Sequence, residues 1–124
     1  MARINYVELP IGDVAMTKRF YADAFGWTFT DFGPDYAATM TGDVDLGLNG
    51  DREQATAHLL PVIEVADLEG TLAAVVAAGG RVTLPIFSFP GGRRFHFADP
   101  HGHELAAMVA EAGSPARRSD VLAG

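Results

Sequence analysis

The chain reads as two copies of one alternation. Over residues 4–11, Val7, Leu9 and Ile11 fall on one parity and Tyr6, Glu8 and Pro10 on the other, the period-two signature of a half-buried strand. Asp13 follows as a helix N-cap. The helix predicted over residues 14–25 stops at Gly26, a residue suited to a left-handed C-terminal position. Residues 58–65 repeat the strand, with Pro61, Ile63 and Val65 on one parity and His58, Leu60, Val62 and Glu64 on the other. Asp67 is the second N-cap, Leu68, Leu72, Val75 and Val76 make an apolar stripe at helical spacing, and Gly79-Gly80 end the helix. Asp13 to Gly26 and Asp67 to Gly80 are both 13 steps, so length and punctuation recur together.

Each helix precedes three short strand-like runs, at residues 27–32, 36–40 and 44–49 in the first half and 81–87, 93–98 and 103–109 in the second. Turns rich in Gly, Pro and Asp separate them at 33–35, 41–43, 89–92 and 99–102. The predicted fold class is therefore α+β, a single domain over residues 1–110 built of two βαβββ modules. These span residues 4–49 and 58–109, with a polar linker at 50–57 and a flexible tail at 111–124. Pro61 is tolerable near a strand's start, whereas it would harm a buried helical turn more.

Composition narrows the chemistry. With 124 residues, 48% hydrophobic and 20% charged, the chain is long enough to bury a core and excludes global disorder. The absence of cysteine removes disulfides, zinc-thiolate sites and thiol catalysis. Nine basic against 16 acidic side chains give a net charge of −7, which opposes nucleic-acid binding and favours cationic ligands. No apolar run suits a membrane span, and Met1-Ala2-Arg3-Ile4-Asn5 leads into a strand rather than a signal peptide, so the expected location is the cytoplasm.

Phe20-Tyr21, then Phe25-Gly26-Trp27, then Asp99-Pro100-His101-Gly102-His103-Glu104-Leu105 stand in order on this duplicated background. The pattern, over residues 4–109, resembles the vicinal oxygen chelate superfamily of glyoxalase I, extradiol dioxygenases, fosfomycin-resistance transferases and bleomycin-binding proteins. The resemblance implies an open, curled mixed sheet that forms a cup, with helices outside and a homodimer as the usual assembly. Parity then implies that Tyr6, Glu8, Asp45, Gly47, Asn49, His58, Leu60, Val62, Glu64, Arg94, His96, Glu104, Ala106 and Met108 face the cup.

Enzymes of this superfamily hold a divalent ion with His, Gln or Glu from four cup-facing strands. The matching positions here are Tyr6, Gly47, Leu60 and Ala106. The last three cannot ligate through a side chain, and Tyr6 would have to lose a phenolic proton. No metal and no other cofactor is therefore expected. Arg94 is a candidate partner for a buried Glu8. Trp27, Phe29 and Phe32 read as core before an aromatic wall for a ligand. The residues expected to contact a ligand are Tyr6, Glu8, Gly47, His58, Leu60, Glu64, Arg94, His96, Glu104 and Ala106. The function this implies is sequestration of a small organic ligand, cationic or aromatic, an antibiotic or metabolite, in an acidic cup. The alternative is a lyase, isomerase or oxygenase of the same superfamily, with a relocated metal or a metal-free acid–base site using Glu8, His58 and His96.

Overall fold

Among the described residues, two helices and eight strands follow one another in the duplicated order. They are β1 (Arg3–Pro10), α1 (Val14–Phe25), β2 (Phe29–Asp31), β3 (Tyr36–Thr39), β4 (Asp45–Asn49), β5 (Leu60–Glu64), α2 (Leu68–Ala77), β6 (Arg81–Phe89), β7 (Gly92–Ala98) and β8 (Glu104–Ala110). The computed structural model describes residues 2–89 and 92–111. The middle of the turn predicted at 89–92 and the tail beyond Glu111 lie outside the described residues. Among the described residues no helix is long and apolar enough to cross a membrane.

Both caps form as the sequence predicts. Asp13 accepts from the Met16 amide and Asp67 from the Gly70 amide, each at 3.0 Å. Gly26 closes α1 at φ 73°, in the left-handed region that a side chain would disfavour.

The strands make one open sheet in the order β2-β3-β4-β1-β5-β8-β7-β6. Each module contributes a parallel pair, β1 with β4 and β5 with β8, and the modules join through antiparallel β1 and β5. The join carries a bulge: Ile4 pairs with Ile63 but Tyr6 with Val62, so Asn5 is the extra residue. The buried Asn5 side chain uses that position to donate to Glu64 at 2.7 Å.

Alternation sorts the side chains into two apolar clusters on opposite faces. Tyr6, Tyr36, Ala38, Leu60, Val62, Ala106 and Met108 pack together on the concave side. Phe95, Ala107, Val65 and Leu68 form the second cluster, joined by Ile63, Leu72, Val75 and Phe97, and α2 covers it. Among the described residues the first module has no equivalent cluster. No residue of α1 is buried, and Phe20, Phe25 and Trp27 stay 58%, 60% and 42% exposed.

Two expectations fail in detail. The strand predicted from His58 begins at Leu60, and His58 is exposed in the linker, its carbonyl accepting from Thr56 Oγ1 at 2.6 Å. Pro10 explains the late start. The Ile11 amide donates to Asn49 on β4, so the amide of residue 10 should face β5, and proline has none to offer. Trp27, read as core in a strand over 27–32, is exposed ahead of the short β2.

Candidate functional site

The curled sheet encloses a cavity of about 700 Å³ on its concave face. Its walls come from both sheet edges: Phe32 and Tyr36 around β2 and β3, and Leu84, Phe87 and Phe89 of β6. Glu8, Asn49, Arg94 and His96 reach it from the strands between. A second cavity of about 730 Å³ lies on the convex face beside Trp27, Val7 and Leu46. The concave cavity is the candidate site because converging polar side chains line it.

At its centre is a buried hydrogen-bond chain. Tyr36 donates to Glu8 Oε1 at 2.9 Å, and the Tyr6 hydroxyl lies 2.6 Å from that of Tyr36. Because Tyr36 spends its proton on Glu8, Tyr6 is the donor in the second bond. Asn49 Nδ2 donates to Glu8 Oε2 at 3.1 Å, so each carboxyl oxygen has a partner. Glu8 is 2% exposed and tied to Tyr36 and Asn49; the Arg94 pairing expected for it does not form among the described ion pairs. Burial pushes both phenols well above the usual tyrosine value, reinforced for Tyr36 by Glu8.

This chain occupies the place where the resemblance puts a metal. Gly47 and Leu60 both pair with Glu8, and Val62 with Ala106, so the four positions do lie side by side. A Cβ built on Gly47 would come within 2.6 Å of Tyr6 Cζ and overlap the hydroxyls of Tyr6 and Tyr36. The glycine is what leaves room for the hydroxyl end of Tyr6 against β4. Leu60 and Ala106 are apolar and fully buried in the same cluster, and both tyrosines hold their protons. A divalent ion does not fit these residues. Among the described residues no three His, Asp or Glu side chains come together to hold one elsewhere. The His58, His96 and glutamate set is not assembled, since His58 is exposed outside β5 and does not line the cavity.

Arg94 and His96, two apart on β7, share the concave face. The Arg94 guanidinium lies 5.3 Å from the Phe87 ring centre and 5.8 Å from that of Phe89. His96 is 4% exposed, with Nδ1 3.4 Å from Glu104 Oε2 and its ring 6.0 Å from Phe87. Burial first, and Arg94 second, lower the His96 pKa and keep the ring neutral, against an opposing pull from Glu104.

The other expected contacts divide. Glu64 is engaged by Asn5, and Glu104 by Thr83 and His96; neither lines the cavity. Asp45, expected among the cup's acids, accepts from Thr39 Oγ1, from the amide and hydroxyl of Thr41, and from the Gly42 amide. Burial opposes ionisation there, but these bonds hold its carboxyl below the usual value. The acidic rim comes instead from Asp35, Asp51 and Glu53, in a turn and the linker. Sequence reasoning passed over these three and Tyr36. Tyr36 shares the parity of Ala38 on a predicted strand, which was the available signal; loop carboxylates carry no parity at all.

Comparison with known proteins places this geometry. A model of the Glyoxalase/Bleomycin resistance protein/Dioxygenase superfamily matches residues 3–107. The "Putative glyoxylase CFP32" of Mycobacterium bovis is 30% identical over 89% of this chain and 50% of its own length. The chain thus spans about half the length of this curated relative. A superfamily member from Vibrio splendidus 12B01 aligns with a TM-score of 0.65 at 18% identity, covering 90% of this chain and 100% of that one. The Mn(II)-bound glyoxalase from Novosphingobium aromaticivorans aligns at 0.64 with 20% identity, over 95% of this chain and 44% of that one. With its duplicated modules, curled sheet and near full-length family match, the chain belongs to the Glyoxalase/Bleomycin resistance protein/Dioxygenase superfamily.

Proposed function

We propose that the protein is a cytoplasmic small-molecule binder that holds an aromatic, cationic organic ligand in the cup without the superfamily's metal. One observation carries this reading: Tyr6 lies over Gly47 beside Leu60 and Ala106, closing the four ligand positions, while a cavity of about 700 Å³ remains beside them. Phe32, Leu84 and Phe87 provide apolar walls, and Asp35, Asp51 and Glu53 offer negative charge at the rim. None of these three carboxylates has an ion-pair partner among the described residues. Their uncompensated charge favours a cationic group there.

Thermal-shift titration with benzyltrimethylammonium tests the reading. A saturable rise in Tm that weakens in the Asp51→Asn/Glu53→Gln double variant is expected. No rise with this or any other cationic aromatic probe sinks it.

A second reading has its own observation. With Nδ1 turned to Glu104, the neutral His96 keeps the Nε2 lone pair for a bound molecule, which suits a metal-free general base. Turnover abolished in His96→Gln would favour it over simple sequestration.

The protein is also proposed to pair with a second copy through α1. Tyr21 stacks on Trp27 at 5.5 Å and Phe25 on Trp27 at 5.2 Å, a continuous aromatic face that nothing in this chain's described residues buries.

A further inference from the structure

The inner end of the cavity carries polar groups that the fold leaves without partners. Arg94 Nε and Nη1 and His96 Nε2 are buried and make no hydrogen bond among the described residues. Unpaired buried groups are costly, more so when charged, and native proteins keep few of them. Here they sit on neighbouring cup-facing positions of one strand, both beside the Phe87 ring and both lining the cavity. No carboxylate lies within ion-pair range of Arg94 among the described residues. Both oxygens of the nearby Glu8 are taken, by Tyr36 and by Asn49.

The two residues ask for different things. Arg94 has only donors and needs an acceptor. His96 turns Nδ1 towards Glu104, which does not line the cavity, so Nε2 is the free nitrogen and its lone pair needs a donor. A carboxylate would satisfy Arg94 but meet the His96 lone pair with another. A cation would do the reverse. A hydroxyl does both, giving its hydrogen to Nε2 while its oxygen accepts from Arg94. Acidity strengthens the match, because the proton can pass to the Nε2 lone pair and the electron pair left on oxygen is then held by the guanidinium.

We infer that Arg94 and His96 form a subsite for an acidic hydroxyl, phenol or enol, at the inner end of an aromatic ligand stacked against Phe87 and Phe89. The inference deepens the binding function proposed above and rests on it. The cationic group of the ligand belongs at the Asp35, Asp51 and Glu53 rim, so the whole ligand is amphoteric. This corrects the picture of a uniformly acidic cup: the rim is negative and the inner end is built to stabilise an oxyanion.

The test compares 4-nitrophenol with 4-nitroanisole, which keeps the ring and loses the O–H. Isothermal titration gives the affinities, and the absorbance of the nitrophenolate reports its ionisation on the protein. Nitrophenol should bind at least about tenfold more tightly than nitroanisole, the scale set by one charge-assisted hydrogen bond. Its apparent pKa should fall on binding. In Arg94→Met, which keeps the aliphatic stem against Phe87, the preference and the pKa shift should both vanish while nitroanisole still binds as before. His96→Gln should reduce the preference and abolish proton uptake by the protein. Equal binding of the two probes, or a preference that survives Arg94→Met, overturns the subsite and leaves the binding function standing. Failure of both probes to bind overturns the subsite, and the benzyltrimethylammonium titration then decides the binding function separately. An equal loss of both probes in Arg94→Met assigns the arginine a purely structural role and also overturns the subsite.

Discussion

The phenol end of Tyr6 fills the space that any side chain on Gly47 would need, although the two residues lie on neighbouring parallel strands 41 positions apart. Gly47→Ala therefore drives a methyl group into a phenol that is itself fixed by Tyr36 and the buried cluster. We expect a loss of about 1–3 kcal/mol in urea unfolding, the usual cost of overpacking a core. Tyr6→Leu in the same chain should recover part of the clash and make the pair non-additive. Additivity would show that the ring does not depend on the glycine.

The order of hydroxyls along the chain predicts an order of costs. Tyr6→Phe removes one donor and leaves the Tyr36 bond to Glu8 intact. Tyr36→Phe strips the acceptor from Tyr6 and the donor from Glu8 together. Denaturation should show Tyr6→Phe costing about 1 kcal/mol and Tyr36→Phe about 1–3 kcal/mol more. The reverse order would contradict the direction of the donors.

His96 makes stability sensitive to mild acid. Its folded pKa lies below the ordinary 6.5, through burial first and Arg94 second. Above 6.5 both the folded and unfolded states hold it neutral, and its contribution is constant. As pH falls below 6.5 the unfolded chain takes up a proton that the folded state resists, so stability drops until the folded pKa is passed. Tm measured across this range should fall in the wild type and fall less in His96→Gln. The depressed Asp45 and Asp99 lose their contributions only as pH falls below 3.8, a separate window.

Metal removal should leave the folded protein unchanged. Because Tyr6, Gly47, Leu60 and Ala106 offer no ligand set, chelation with EDTA should not shift Tm, and added Mn²⁺, Zn²⁺ or Ni²⁺ should produce no saturable stabilisation. A stoichiometric rise in Tm with any of them would contradict the geometry described for those positions.

The exposed aromatic face on α1 should be covered in solution. Light scattering is expected to give twice the mass of the chain, and Phe20→Glu with Trp27→Glu should shift it towards one copy while leaving α2 and its cluster folded. A monomeric wild type would refute the second-copy arrangement.

Much of this architecture was legible before any coordinates. A strand's side chains alternate regardless of what lies on either face, so the parity of Leu60, Val62, Ala106 and Met108 against Ile63, Phe95 and Ala107 was enough to sort the two sides of the sheet. The helix ends were equally local, since Asp13 and Asp67 cap amides only three residues ahead. His58 was misplaced because strand length is set by the neighbour: the missing amide of Pro10, 48 residues earlier, removes the pairing that parity assumed. Arg94 is a candidate partner for Glu8 in the sequence because charge is visible there and distance is not.

By itself, then, the sequence determined the duplicated modules and the two faces of the sheet. Each of these follows from covalent alternation or side-chain chemistry and needs no knowledge of distant neighbours. Only the tertiary structure decided that Tyr36 and Asn49, not Arg94, satisfy Glu8, that loop carboxylates make the acidic rim, and that Arg94 and His96 stand unpartnered beside Phe87. Hydrogen bonding acts over about 3 Å, and which groups come within that reach depends on how the whole sheet curls.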